Sequence, residues 1–500
     1  MNLRRLYWNA LAATMQIIAS AFLLFALYRF LLQQLGPAKL GVWSLVLASG
    51  SLARLGDFGL GGGVTRFVAA DLGANRGERA AKTVGMSAIA IGILVGLCCL
   101  VAQPGLRAGV GKLISDPALL ASARSLVPWA LSALWLGAVA QVFLGALDGC
   151  QRGAARAAIN VISSTMQLVA AYVIVPAWGL DGLGLVQLVQ AGSAAILGVA
   201  CLGAALRYPI GKWLTPDRPR FLEIIRFGGG IQLNALAQIL FDPTVKVLLA
   251  SLGDLSLTGY YEAANRAAMQ FRSIIVSAYQ MLVPYVAYRV GAGGLSRDRV
   301  AFVYRSGHAL MMVVAIPYFS VVACGLPFIL SAWIGRTDPK FVTIGLICLA
   351  GWAANTLLAS AYMLYVALGR LRWTIGSHLA IGTLNLLFGF VGGWRFGGIG
   401  VVGGAMIALA MGSAVAPLAF HREYRIPAGD LFPRDSVPLI ATSLLGAAVL
   451  LAAQLHWTGF SRVSPGGLGV LATYACSCVV LIWRNPIVVR SIRRFEAAPV

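Results

Sequence analysis

Apolar and polar positions along this chain fall into long blocks. Runs of about twenty or more apolar residues recur from one end to the other, separated by short stretches rich in Arg, Gly and Pro. A run of that length crosses the hydrocarbon of a bilayer as a single helix. The pattern predicts about fourteen spans, at 8–32, 40–70, 83–102, 123–148, 156–176, 182–206, 222–250, 257–288, 300–325, 341–367, 372–392, 396–420, 436–456 and 466–484. The second and eighth are longer than a bilayer needs and are expected to tilt, kink or protrude. The fold class is therefore all-α, a polytopic membrane protein, with only short links between spans.

Composition agrees with that pattern. Of 500 residues, 59% are hydrophobic and 11% charged, which excludes an ordinary soluble domain. The net charge of +22 does not indicate nucleic acid, because the basic residues sit in short loops. With a cytoplasmic N-terminus, 24 of the 39 Lys and Arg residues fall on the inner side and 8 on the outer. That bias is the positive-inside rule, and it predicts both termini in the cytoplasm of an inner (plasma) membrane protein. The first span follows Arg4 and Arg5 and is too long for a signal-peptide core, so it is read as retained. The eight cysteines lie mostly in or beside apolar runs, without metal spacing, and read as packing residues.

The chain repeats. Gly36 corresponds to Gly253 and, after one inserted residue, Gly41 to Gly259. Later, Gly153, Arg156, Trp178, Gly182 and Gly184 correspond to Gly369, Arg372, Trp394, Gly398 and Gly400. Matched positions are six spans apart, so the two copies share an orientation and are related by an axis along the membrane normal. The expected organisation is an N-terminal lobe at 1–206, a basic Pro-rich linker at 207–221, a C-terminal lobe at 222–421, and two further spans with a tail at 422–500. The two six-helix lobes are expected to be pseudo-symmetric around a central cavity.

Charges inside spans are expensive, so their positions carry information. The stretch from Leu52 to Lys82 takes Arg54 and Asp57 through a glycine-rich helix into a basic loop. The repeat pairs Arg29 with Lys246 and Arg54 with Arg272. With Arg266, these are the candidate cavity cations. Asp57 and Asp242 are candidates for proton or cation coupling, and Glu262 is a candidate counter-ion. The plainer reading is local neutralisation. Asp242 and Lys246 are i, i+4, as are Glu262 and Arg266, and Arg54 and Asp57 are i, i+3. Arg272 has no acidic residue within helical reach. Gly398-Ile-Gly400-Val-Val-Gly403 fits a dinucleotide fingerprint only on paper; it opens a membrane span, and close helix packing accounts for it better. No cofactor is called for.

The second-span pattern LGDFGLGGGVTRFVA, the fourth-span exit GALDGCQRGAARAAIN, and the block FDPTVKVLLASLGDLSLTGYYEAANRA with the later MLVPYVA carry a resemblance. The sequence resembles the polysaccharide (lipid-linked oligosaccharide) flippases of the multidrug/oligosaccharidyl-lipid/polysaccharide exporter superfamily. The resemblance covers spans one to twelve. It implies alternating access between membrane faces and transport of an undecaprenyl-diphosphate-linked glycan from the cytoplasmic to the periplasmic leaflet. Implied partners are that lipid-linked oligosaccharide, membrane lipids, and a polysaccharide polymerase with export proteins; nucleic acid is not among them. A drug/cation antiporter of the same superfamily is the alternative, and would favour an acidic cavity. A membrane glycosyltransferase or polysaccharide polymerase would need carboxylates on outer loops, where Asp116, Asp181, Asp254 and Asp338 are on offer.

Overall fold

The computed structural model describes residues 3–51, 60–206, 241–280, 296–334, 338–368, 370–431, 436–456 and 465–487, with Tyr208, Trp213 and Pro433. The described residues are helical almost throughout, with no strand among them. In chain order the α-helices are α1 (Leu3–Ser51), α2 (Leu60–Gly73), α3 (Gly77–Leu113), α4 (Pro117–Gly149), α5 (Gly153–Leu206), α6 (Phe241–Leu252) and α7 (Leu255–Gln280). They continue as α8 (Arg297–Ile334), α9 (Pro339–Leu357), α10 (Ala359–Ala367), α11 (Arg372–Tyr424), α12 (Val437–His456) and α13 (Pro465–Arg484). A 3₁₀ turn at Ala428–Leu431 precedes α12. Each of the fourteen spans read from the sequence has a described helical segment within it. Seven of the described helices are long and apolar enough to cross a membrane.

Three helices are too long to cross once. The 54 residues of α5 would run about 80 Å if straight, against a hydrocarbon core of about 30 Å, and each long helix is broken by one glycine. Gly36, Gly179 and Gly397 take φ of +75°, +56° and +63°, backbone that L side chains avoid. At the first of these, Gly36 precedes Pro37, which bars its predecessor from helix and starts the next arm. In α11 the arms fold back on each other. Gly392 meets Gly400, Phe388 meets Gly404, and Ile381 meets Gly412, with the Ser377 hydroxyl donating to the Gly412 carbonyl at 2.7 Å. The glycines of the apparent dinucleotide fingerprint are thus helical, and Gly400 lets two backbones touch.

The chain divides into two compact units, Met1–Gly259 and Tyr260–Val500. In the first, α4 runs parallel to the second arm of α5, setting large side chains against small ones: Trp129 on Gly184, Leu136 on Gly192, Phe143 on Gly198. The Trp135 indole donates to the Gly92 carbonyl on α3 at 2.7 Å, and the Thr65 hydroxyl of α2 donates to Gly145 at 2.9 Å. The tight turn from α4 to α5 places Gln151 at φ +56° and is bridged by an ion pair between Asp148 and Arg156.

A further contact in this unit is self-complementary. A methyl carbon on Gly41 would lie 2.7 Å from the carbonyl carbon of Leu255, and one on Gly259 would lie 2.9 Å from that of Pro37. Leu255 follows Pro37 by 218 positions, and Gly259 follows Gly41 by the same interval. Repeat-matched residues therefore meet reciprocally, as at a two-fold axis.

In the second unit, Tyr304, Ala361, Leu364, Tyr365, Phe420 and Ile426 form a buried core. Buried histidines stitch its polar edge. His308 Nδ1 meets Ser360 Oγ at 2.9 Å and its Nε2 meets the Leu431 carbonyl at 3.0 Å, while His421 Nε2 meets the Tyr304 hydroxyl at 3.0 Å. The thiol of Cys324 on α8 reaches the Ala447 carbonyl of α12 at 3.8 Å, the packing role expected of these cysteines.

Candidate functional site

The polar stripe of α7 is the frame of the candidate site. Glu262, Asn265, Arg266 and Arg272 recur at helical spacing along a segment whose other residues, Gln270 apart, are small or apolar. At the start of the helix, Asp254 caps by accepting from the Leu257 amide at 2.7 Å. The hydroxyl of Tyr260 donates to Asp338 at 2.6 Å, and Asp338 also caps α9 through the Lys340 amide at 2.9 Å. One carboxylate thus ties the beginning of α7 to the beginning of α9.

Further along, Glu262 is 2% exposed and accepts from Arg266 Nε at 2.9 Å, while Arg266 stays exposed. Asn265 is buried and accepts the indole N–H of Trp352 at 2.7 Å. Two turns on, Arg272 Nε donates to Asn355 Oδ1 at 2.9 Å, and its guanidinium carbon stands 5.2 Å from the centroid of the same Trp352 ring. Trp352 is therefore held by its N–H and in turn supports a cation on its face. Asn355 Nδ2 donates to Ser413 Oγ on α11 at 2.7 Å, and that hydroxyl donates to the Leu409 carbonyl at 2.6 Å. Tyr362 and His378 lie within electrostatic reach of Arg272 and meet each other at 3.4 Å. The helix breaks at Leu358, between α9 and α10, three residues past Asn355. Among the described residues no carboxylate pairs with Arg272. A half-buried guanidinium with an aromatic platform, one occupied nitrogen and no counter-ion among those residues is suited to taking up an anion.

The other sequence-predicted residues divide in two. The two i, i+4 pairs both form, Asp242 with Lys246 at 2.6 Å and Glu262 with Arg266. Lys246 is 2% exposed and Asp242 39%. Arg29 is exposed on α1, between buried Tyr28 and Phe30. Arg54 and Asp57 lie outside the described residues, as does most of the linker at 207–221. In the second unit the structure brings Arg272 together with Trp352, Asn355 and Ser413, none of which the charge pattern singled out. Trp352 and Asn355, at i and i+3 in an otherwise apolar span, were the available signal.

The outer-loop carboxylates have other work. Asp116 caps α4 through Ala118 at 2.8 Å, Asp254 and Asp338 cap α7 and α9, and Asp181 accepts from the Ser125 hydroxyl.

A family model described as polysaccharide biosynthesis protein matches residues 6–288, more than half of the chain. No curated protein matches. Several solved structures share the fold. A multidrug resistance MATE family transporter of the MOP superfamily, in an inward-facing conformation, is 14% identical with a TM-score of 0.69, over 81% of this chain and 94% of that one. The lipid II flippase MurJ, in an inward closed conformation, is 12% identical with a TM-score of 0.66, over 96% and 99%. The Vibrio cholerae MATE transporter VcmN in its bent form is 17% identical with a TM-score of 0.51, over 82% and 98%. At such identities the likeness is one of fold. The match over residues 6–288 goes further, and by it this helical membrane chain belongs to the polysaccharide biosynthesis protein family.

Proposed function

We propose that the protein is a flippase that moves an undecaprenyl-diphosphate-linked oligosaccharide from the cytoplasmic to the periplasmic leaflet by alternating access, in the service of surface-polysaccharide synthesis. Both termini then face the cytoplasm of the inner membrane. The observation that carries this reading is Arg272, a cation inside a helical membrane unit with an amide and an indole as its described partners. A guanidinium in that setting is stabilised by an anionic ligand, and a diphosphate offers the bidentate oxygens that its fork fits. Arg29, Arg54 and Arg266 are the further cations assigned to the headgroup's path, and Lys246, buried against Asp242, is assigned to charge balance. Asp57, Asp242 and Glu262 are assigned to coupling or charge balance.

Cation export is the weaker reading, because Asp242 and Glu262 each already hold a basic partner. A glycosyltransferase or polymerase is weaker still, since three of the four outer-loop carboxylates serve as helix caps. The test is depletion of the protein in cells followed by analysis of lipid-linked sugars in each leaflet. Flipping predicts accumulation of one diphosphate-linked glycan on the cytoplasmic side; unchanged lipid-linked pools with lost drug or cation export would overturn it.

A further inference from the structure

We infer that Asn355 is a positioning residue whose neutrality keeps Arg272 open to a diphosphate. The inference rests on the reading of Arg272 as the anion-binding group. Its basis is the direction of each hydrogen bond in the chain from Leu409 to Arg272. The Leu409 carbonyl can only accept, so the Ser413 hydroxyl donates to it. That leaves Ser413 Oγ as an acceptor towards Asn355, whose Nδ2 must then be the atom facing it. The amide orientation is fixed by its partners, and Oδ1 is presented to Arg272 Nε.

Two consequences follow. The guanidinium is anchored through Nε and by the Trp352 face, so its rotation is restrained. Its two terminal nitrogens take no hydrogen-bond partner among the described residues, and they are the pair that grips two oxygens of one phosphate or bridges two. An amide in this place orients the cation without discharging it. A carboxylate of the same shape would orient it equally well and neutralise it. Asn355 therefore decides whether the site is an anion receptor or a closed ion pair, and Ser413 supports the amide orientation that the donor Nε of Arg272 requires.

The substitution Asn355→Asp separates this role from a structural one, because it preserves shape and strengthens the bond to Arg272, while the Ser413 hydroxyl can turn from the Leu409 carbonyl to donate to the second carboxylate oxygen. The experiment uses the full-length protein in nanodiscs, with undecaprenyl diphosphate as the probe and direct binding plus thermal unfolding as readouts. Asn355→Asp is expected to weaken binding by at least tenfold, about the effect of an opposing charge-assisted bond, with an unfolding temperature equal to or above that of the parent. Asn355→Ala is expected to weaken it by about fivefold, and Ser413→Ala by less. Arg272→Met serves as the reference. Binding by Arg272→Met equal to the parent would overturn the anion reading itself. Loss with Arg272→Met but parental binding by Asn355→Asp would overturn the positioning role alone. Loss of binding by Asn355→Asp accompanied by a lowered unfolding temperature would also overturn it, because the amide would then be structural.

Discussion

The reciprocal contact between Gly41 and Gly259 makes an unusual prediction about additivity. Replacing Gly41 with Ala places a methyl carbon 2.7 Å from the Leu255 carbonyl carbon, where contacting carbons stand about 3.5–4.0 Å apart. The obstacle is backbone on both sides, so no side chain can rotate away. The Leu255 carbonyl oxygen stands nearer still, so the two segments must part by roughly 1.5 Å to restore ordinary contact. Overpacking of this kind costs about 1–3 kcal/mol. Gly259→Ala meets the Pro37 carbonyl in the mirror arrangement, its methyl carbon 2.9 Å from that carbonyl carbon, and parts the same two segments. Once one substitution has opened the seam, the second finds most of the room already made. The double variant should therefore fall well short of the sum, with a coupling of about 1 kcal/mol or more. Unfolding free energies of the parent, both single variants and the double variant, measured reversibly in mixed detergent micelles, give the cycle. Either a neutral Gly41→Ala or strict additivity would show that the backbones do not meet at this seam.

Other predictions concern single interactions. Lys246 is the buried member of its pair and Asp242 is partly exposed, so Asp242→Asn should destabilise by about 1–3 kcal/mol, while Asp242→Asn with Lys246→Met should recover much of that loss; unfolding measurements on the two variants and the parent decide it. Asp338→Ala removes both the cap of α9 and the bond from Tyr260, and should cost about 1–2 kcal/mol against a smaller effect for Tyr260→Phe, read from the same measurement. Gly400→Val should separate the arms of α11, because a methyl group there would overlap the Gly392 backbone; faster proteolysis at the 392–400 turn in the folded protein is the readout.

Much of this architecture was legible in the sequence, and for physical reasons. Block hydropathy gave the spans because backbone hydrogen bonds must close within each segment in lipid. The breaks at Gly36 and Gly179 fall between predicted spans, where a chain must reverse, while the break at Gly397 falls just inside the predicted 396–420 span, two residues past the gap that hydropathy marked. The i, i+4 pairs formed because helical geometry alone brings their side chains together. What the sequence withheld was tertiary. The repeat showed Gly41 and Gly259 to be equivalent, yet equivalence does not entail contact. Trp352, Asn355 and Ser413 were missed because they are uncharged residues in largely apolar spans, and only packing of α7, α9 and α11 brings them to Arg272. Spacing could say that Arg272 lacked a helical counter-ion, but not which neutral groups hold it.

The proposed flipping depends on the Arg272 charge taking part in moving a diphosphate across the membrane. The direct measurement is the leaflet distribution of lipid-linked glycan in cells whose only copy carries Arg272→Met, with folded protein quantified in the membrane. Cytoplasmic accumulation and loss of the surface glycan are expected, with Arg272→Lys intermediate because it keeps the charge but not the fork. Normal surface glycan from cells carrying well-folded Arg272→Met would contradict the proposal.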